Sequence, residues 1–350
     1  MKHTKSLGAM AVGLAIVALG SAAPALADTN VGNATTYAAT GSDTSQDVVE
    51  GLSQVILGAG NAPLISNYKA TPQPGKISTR AGNPNCTFDR PAGSGGGRDA
   101  LSASLRGVPF GGSTNLAGCV DFARSSSGGN PTTSPGVGAL TYIPFATDAV
   151  TFAVTSSTVV GRKLSKADLV SIYSANTPNC IFQPLLPNAG SGTRSFFLSS
   201  LGLSDVAIGA AGGPGTCVKD VINGVGVQEH DGRFLTNPNQ LVPFSVAQYV
   251  AQSSDAIANQ LGSAVLGAVD TSATPDATLS AAVAPVSLKT AFPFNRPIYN
   301  VVPTAKLAAD ATFAGIFSGP TSKICAATST IQYYGFAPAA NCGDITKKNT

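Results

Sequence analysis

The sequence predicts an α/β fold with largely parallel sheets. Three observations carry that expectation. Apolar runs rich in β-branched and aromatic residues alternate with runs of helical period. Turns rich in Gly, Ser and Thr stand directly before several of the helical runs, as they do where a loop hands over to a helix N-terminus. The chain has 350 residues, enough for two domains, and its 11% of charged residues comes with plentiful apolar runs, which argues against disorder.

The N-terminus sets the compartment. Lys2, His3 and Lys5 precede an apolar run from Leu7 to about Gly20, and Ala25-Leu26-Ala27 fits a small-residue cleavage rule. A secretory signal peptide over 1–27, cut after Ala27, is therefore expected. Its apolar run is short for a membrane span, no later stretch is long and apolar enough for one, and no cysteine near the cut offers a lipid anchor. The mature chain, residues 28–350, is expected to be soluble and exported, either secreted or held in the periplasm or cell envelope.

The elements follow in order. TGSDTSQDVVEGL (40–52) places Gly, Ser and Thr before an amphipathic helix, and RPAGSGGGRDALSASL (90–105) does the same for a second. VDFARSSSGGN (120–130) sets Arg124 and three serines after a short apolar run. ALTYIPFATDAVTFAV (139–154) reads as a buried strand and LSKADLVSIYS (164–174) as a helix capped at Ser165. In NAGSGTRSFF (188–197), Gly190 and Gly192 allow a tight turn, Ser191 or Thr193 caps the first helical turn, and Phe196 and Phe197 begin an apolar face. A helix over 245–262, a strand over 296–304 and a helix over 307–318 complete the alternation. Stretches 91–97, 125–138 and 209–216 read as loops. There is no internal repeat.

Charge and cysteine narrow the function classes. The formal net charge is +3, and +1 without Lys2 and Lys5, with no basic run. That is a poor basis for non-specific nucleic-acid binding. All six cysteines lie beyond the leader, and an even number in an exported chain suggests three disulfides. Cys86–Cys119, Cys180–Cys217 and Cys325–Cys342 are expected, because that pairing staples local loops. No metal site is expected: CxxC spacing is absent and His230 is the one histidine of the mature chain. No cofactor motif is present, neither G-x-x-x-x-G-K-[ST] nor G-x-G-x-x-G after a strand.

Four loops, at 40–52, 90–105, 120–130 and 188–197, can each present backbone N–H groups and hydroxyls to an anion. Any one could be a plain helix cap. Together they matter more, because a buried oxyanion needs many donors to replace its water. The set GSDTSQDV, AGSGGGRDAL, DFARSSS and PLLPNAGSGTRSFF resembles the phosphate-binding proteins of ABC-type phosphate uptake systems, a branch of the two-lobed periplasmic binding proteins. The resemblance runs over roughly 35–335 and implies a type 2 periplasmic binding protein-like fold. That means two Rossmann-like lobes with mixed sheets, joined by two crossover strands, with the oxyanion between them. It places the first lobe at 28–150 plus 291–350 and the second at 151–290, with TDAVTFAV and PFNRPIYNVVP as the crossovers.

The resemblance also implies donors. Thr44 and Ser45 match the first loop, Ser94 with Gly95 and Gly96 the second, and Ser191, Gly192 and Thr193 the fourth. Arg124, Ser125 and Ser126 come from the third loop. Two departures matter. The family's third motif ends on an aspartate that accepts the proton of hydrogen phosphate, and here that place is Ser126. The family often has an arginine four residues before its Ser-Gly-Thr, and here that place is Pro187, leaving Arg194 or Arg124 to supply a cation. Ser126 in place of the acid puts discrimination against sulfate in doubt; Asp43 or Asp121 could take the acceptor role, beside plain readings of a helix cap for Asp43 and a strand-end hydrogen bond for Asp121. Arg98 reads as solvated or acid-paired.

The resemblance implies capture of phosphate, or a similar tetrahedral oxyanion, for an ABC permease, with no catalysis. Two other classes stand beside it. A secreted relative without a transport role could act in adhesion or scavenging, which the missing lipid anchor motivates. A phosphoester hydrolase would need a base for its serine, but His230 sits in QEHDGRF, which reads as a polar turn, and G-x-S-x-G is absent.

Overall fold

The computed structural model describes residues 28–349 except 34, 72, 129–138, 270–278 and 281–286. The expected signal peptide and most of the 125–138 loop lie outside the described residues.

A single ten-stranded sheet organises the chain. Strand β1 (Tyr37–Gly41) leads through a four-residue loop into helix α1 (Gln46–Val55), and β2 (Ile65–Asn67) returns parallel to β1. Helix α2 (Gly93–Arg106) is followed by β3 (Phe122–Ser125), also parallel to β1. Then comes β4 (Leu140–Thr155), sixteen residues long and buried along almost its whole length. A strand covered on both faces reads as a continuous apolar run, and this one does. Helix α3 (Lys166–Tyr173), β5 (Gln183–Pro184), α4 (Gly192–Leu201), β6 (Gln240–Ser245), α5 (Val246–Ser253) and β7 (Ala264–Leu266) follow. The chain returns along β8 (Asn295–Pro303) into the short helices α6 (Thr304–Ala309) and α7 (Ala311–Phe317), then β9 (Ala337–Pro338) and β10 (Lys348–Asn349).

The sheet runs β2-β1-β3-β8-β4-β6-β5, with β7, β9 and β10 also paired to β4. It is mixed rather than largely parallel. The β1, β2 and β3 pairings and β5–β6 are parallel, while β8 is antiparallel to both β3 and β4, and β6 is antiparallel to β4. The two long strands β4 and β8 run in opposite directions through the middle, and β3 and β6 beside them each have one parallel and one antiparallel neighbour.

The apolar interior divides at those strands. One cluster draws on residues 149–294, with Phe152, Tyr173, Phe197 and Phe244 among its members. Two others draw on residues 38–146 and 298–336, Ala247 excepted. Ala146 and Ala149 of β4 belong to different clusters, as do Phe294 and Ile298 at the start of β8. Disulfides Cys86–Cys119, Cys180–Cys217 and Cys325–Cys342 are formed in the sequential pairing.

Local expectations hold to differing degrees. Ser165 caps α3 in a full capping box with Asp168. The helix expected over 245–262 stops at Ser253, because Asp255 turns left-handed at φ 57°. The helix expected over 307–318 is cut at Asp310, whose carboxylate caps a new helix by accepting from Phe313 N–H. Residues 93–97, expected as loop, already belong to α2. Close approach explains Gly97, where a Cβ would stand 2.3 Å from the Cα of Gly41.

Candidate functional site

The first loop, Ser42 to Ser45, leaves β1 at Gly41, whose φ of 119° suits glycine. Arg124 supports it from below. Its guanidinium donates to the carbonyls of Ser42 (3.1 Å), Gly41 (2.9 Å) and Tyr68 (2.9 Å) and to Asn67 Oδ1 (2.6 Å). Burial pulls this guanidinium down to about 10. Arg124 is therefore a pillar of the loop and is not turned toward a ligand.

The four loops converge through their hydroxyls. Ser42 Oγ donates to Ser126 Oγ at 3.1 Å, and Ser94 Oγ lies 3.2 Å from Ser126 Oγ while accepting from Ser126 N–H at 3.0 Å. Thr44 Oγ1 and Thr193 Oγ1 stand 3.2 Å apart. Ser191 caps α4 by accepting from Arg194 N–H at 3.1 Å. Gly95 N–H donates to Gly190 C=O at 3.3 Å, stitching the second loop to the fourth. Gly192 closes the group: a Cβ there would lie 2.3 Å from Ser126 Oγ and 2.5 Å from Ser94 Oγ. All six hydroxyl residues are buried.

The cation comes from neither expected arginine. Arg194 turns away, paired with Asp205 (2.8 Å) and Asp220 (3.2 Å) and donating to Pro187 C=O. Arg296 of β8 takes the place instead. It donates to Thr193 Oγ1 at 2.9 Å and Ser126 C=O at 3.3 Å, and twice to Asp148 Oδ2 at 2.7 and 3.0 Å. Asp148 lies on β4, and its other oxygen accepts from Ala247 N–H. A buried arginine and aspartate, directly opposite each other on two paired antiparallel strands, place an ion pair beneath the hydroxyls.

Carboxyl groups face them. Glu229 is buried and accepts from both Thr44 Oγ1 and Ser191 Oγ. Asp43 is hydrogen-bonded to Glu229, and its Oδ1 has no partner. Burial first, and the Glu229 charge second, hold the Asp43 carboxyl well above the usual carboxylate range. Burial also pushes Glu229 upward. The His230 ring, the bond from Asp43, Arg296 and the Ser191 hydroxyl outweigh it and leave Glu229 below its ordinary value. The two carboxyls are thus shifted in opposite directions, Asp43 upward and Glu229 downward.

His230 is half-buried beside them rather than in an outlying polar turn. Its φ is 52°, its Nδ1 has no partner, and burial holds its ring below the ordinary value. Ligand-type atoms of Asp43, Glu229 and His230 lie within 4.8 Å of one another, close enough to hold a cation without any CxxC spacing in the sequence. Both Glu229 oxygens already take hydroxyls and Asp43 bonds Glu229 directly, an arrangement that a shared proton satisfies. A cavity of about 70 Å³ touches Asp43, Gly93, Ser191 and Glu229. A second, of about 510 Å³, opens past Glu229, His230 and Gln248.

Among the expected site residues, Asp43, Thr44, Ser94, Ser126, Ser191, Gly192 and Thr193 come together. Ser45 is buried with its hydroxyl unpartnered, Ser125 bonds back to Ser127 C=O at 2.7 Å, and Gly96 faces Pro91. Asp121 is held by Arg80, Lys306 and the Ala38 N–H, away from the hydroxyls. Arg98 donates to Ser94 C=O and the Tyr142 hydroxyl. Glu229, Arg296 and Asp148 were missed. Arg296 and Asp148 did carry a signal: charges inside runs otherwise fit for buried strands, which need each other. Glu229 carried none, since QEHDGRF has a turn's composition.

The family model described as PBP superfamily domain matches residues 81–317. No curated protein sequence matches the chain. Among solved structures, an ABC-type phosphate transport receptor from Vibrio cholerae is similar at 15% identity, covering 86% of this chain and 99% of that one with a TM-score of 0.48. A phosphate binding protein from Stenotrophomonas maltophilia is similar at 13% identity (88% and 91% covered, TM-score 0.47). A human phosphate binding apolipoprotein is similar at 15% (87% and 90% covered, TM-score 0.44).

Proposed function

Because the chain belongs to the PBP superfamily, we propose that it is an exported solute-binding protein that captures phosphate, or a similar tetrahedral oxyanion, for ABC-type uptake. One observation carries the reading. Hydroxyls from four separate loops, Ser42, Thr44, Ser94, Ser126, Ser191 and Thr193, converge in a buried place over the Arg296 guanidinium. Convergent donors in low dielectric are what an oxyanion needs to replace its water.

The reading divides the chain into lobes at 28–150 plus 291–350 and at 151–290. The division of the apolar clusters at β4 and β8 supports this. Opening about those strands would admit the ligand, and closure would bury it. Binding without catalysis suits the site better than hydrolysis. Ser191 donates to Glu229 and Ser94 bonds Ser126, so neither hydroxyl has His230 as its base.

Calorimetry tests the proposal, using mature, oxidised protein stripped of bound anion. Phosphate should bind, and the Ser191→Ala/Thr193→Ala double variant should weaken it by at least about tenfold, since two donors to a charged ligand are lost. Absence of phosphate binding by the unaltered protein would defeat the reading.

A further inference from the structure

The larger cavity beside the hydroxyls has room and chemistry for more than an inorganic ion. We propose that the site takes a phosphate monoester of a neutral polyol, with its phosphate among the converging hydroxyls and its sugar-like part in the cavity of about 510 Å³ next to them. The inference rests on the oxyanion reading above and names the class of ligand within it.

Three observations lead to it. First, the two spaces share a wall. Thr71, Gln73, Gln228 and Glu229 line both the small cavity at Ser191 and the larger one. Thr44 also joins them: its Oγ1 stands 3.2 Å from Thr193 Oγ1, and its C=O accepts from Gln248 Nε2 at 2.6 Å. A group esterified to an oxyanion at these hydroxyls has Gln248 next along its path. Second, the volume of the larger cavity falls within the ~300–1,000 Å³ that encloses small organic ligands. Third, two buried polar atoms on its wall, Gln248 Oε1 and His230 Nδ1, have no partner among the described residues. Gln248 is 1% exposed and anchored on Thr44, and His230 is anchored by Gln252 Nε2, which donates to its C=O at 2.8 Å. Buried polar atoms are costly to leave unmatched, and a ligand hydroxyl matches either one: it donates to an amide oxygen, and it donates to or accepts from an imidazole nitrogen.

The same wall disfavours other organic parts. Its charges are already engaged: Asp47 pairs with Lys69, Asp231 pairs with Arg233, and Glu229 accepts from Thr44 and Ser191. A second phosphate would find no unpaired cation among the described lining residues, and a cationic headgroup no unpaired acid. No phenylalanine or tyrosine among them offers a nucleobase a ring to stack on. Neutral hydroxyls answer the free amide oxygen and ring nitrogen, while Val225, Ile257 and Ala258 give the C–H face of a polyol an apolar wall.

The test is calorimetry at pH 8 with sodium phosphate, glucose 1-phosphate and free glucose on the mature protein stripped of bound anion. Phosphate and glucose 1-phosphate are also titrated into Ala258→Trp and Gln248→Met. Ala258 lines the larger cavity alone, so tryptophan there fills that space and leaves the hydroxyls as they are. Circular dichroism checks that each variant is folded. The unaltered protein should bind glucose 1-phosphate about tenfold tighter than phosphate, the worth of one or two added hydrogen bonds. Free glucose, lacking the anchor, should bind far more weakly than either. Ala258→Trp should weaken glucose 1-phosphate by at least about tenfold while leaving phosphate within about twofold, and Gln248→Met should narrow the advantage of the ester. An ester bound no tighter than phosphate, free glucose bound as tightly as its phosphate, or an Ala258→Trp variant that weakens both anions alike or neither, would overturn the inference while leaving the oxyanion site standing. Binding of neither anion would overturn both. Should Ala258→Trp unfold, the ester's advantage in Gln248→Met decides, its persistence in full overturning the inference. Should both variants unfold, the comparison of ester with phosphate in the unaltered protein decides alone.

Discussion

Arg296→Met removes the one guanidinium that Asp148 has. Both side chains are buried, at 1% and 0% exposure, and among the described residues Asp148 keeps only the Ala247 N–H at 3.0 Å. Methionine fills most of the volume, so the loss is chiefly electrostatic. Removing one member of a buried pair strands the other charge, at a cost of about 3–5 kcal/mol. Asp148→Asn strands the guanidinium and should cost a similar amount. The double variant strands nothing and should fall short of the sum of the singles by at least about 1 kcal/mol. Urea unfolding at pH 7 with disulfides intact, followed by circular dichroism and tyrosine fluorescence since the chain has no tryptophan, gives each value. An unchanged m-value licenses the comparison. Singles that each cost under about 1 kcal/mol, or a double equal to the sum of the singles, would refute the view that β4 and β8 are joined by this pair.

Other outcomes follow from the same geometry. Gly192→Ala puts a methyl 2.3 Å from Ser126 Oγ and 2.5 Å from Ser94 Oγ, so phosphate affinity should fall at least about tenfold, and unchanged affinity would contradict the crowding. The Asp43 carboxyl is raised in the fold by burial and by Glu229. Its contribution to stability is therefore complete below the ordinary aspartate value of ~3.9 and is lost as pH rises through the folded value. Asp43→Asn should flatten the fall in stability as pH rises above ~4, and parallel curves would show that the fold does not raise the Asp43 carboxyl. Cys180→Ser/Cys217→Ser opens a bridge spanning 37 residues and should cost about 4 kcal/mol by chain entropy, measurable in the same urea experiment, while a loss under about 1 kcal/mol would show that the bridge does not constrain the unfolded chain.

Much of this was legible in the sequence, and the reasons differ by element. The β4 run was legible because a strand buried on both faces shows no alternation to misread. Ser165 announced α3, because a cap is written beside the helix it starts, and Asp168 completes it as a capping box in the fold. The donor loops were legible because hydroxyls and glycines before a helix leave a local signature. Strand direction was not, since the residues of β3 and β8 say nothing of which way a neighbouring strand runs. Nor was the destination of the arginines. Arg124 and Arg194 sit in anion-like contexts, yet their guanidiniums answer carbonyls and acids close by in the fold. Arg296 and Glu229 lie about 100 and 40 residues from the Ser191 loop whose hydroxyls they address, a distance no local motif spans.

The central claim is that the Thr44, Ser94, Ser191 and Thr193 hydroxyls enclose one tetrahedral oxyanion. A crystal structure of the mature protein grown with arsenate, with arsenic located by its anomalous scattering, tests it most directly. The account predicts one strong peak within hydrogen-bond reach of those four hydroxyls, with Glu229 moved off them or bonded to the anion's own O–H. An arsenic peak elsewhere, or none beside Ser191 and Thr193 at saturating arsenate, would contradict it.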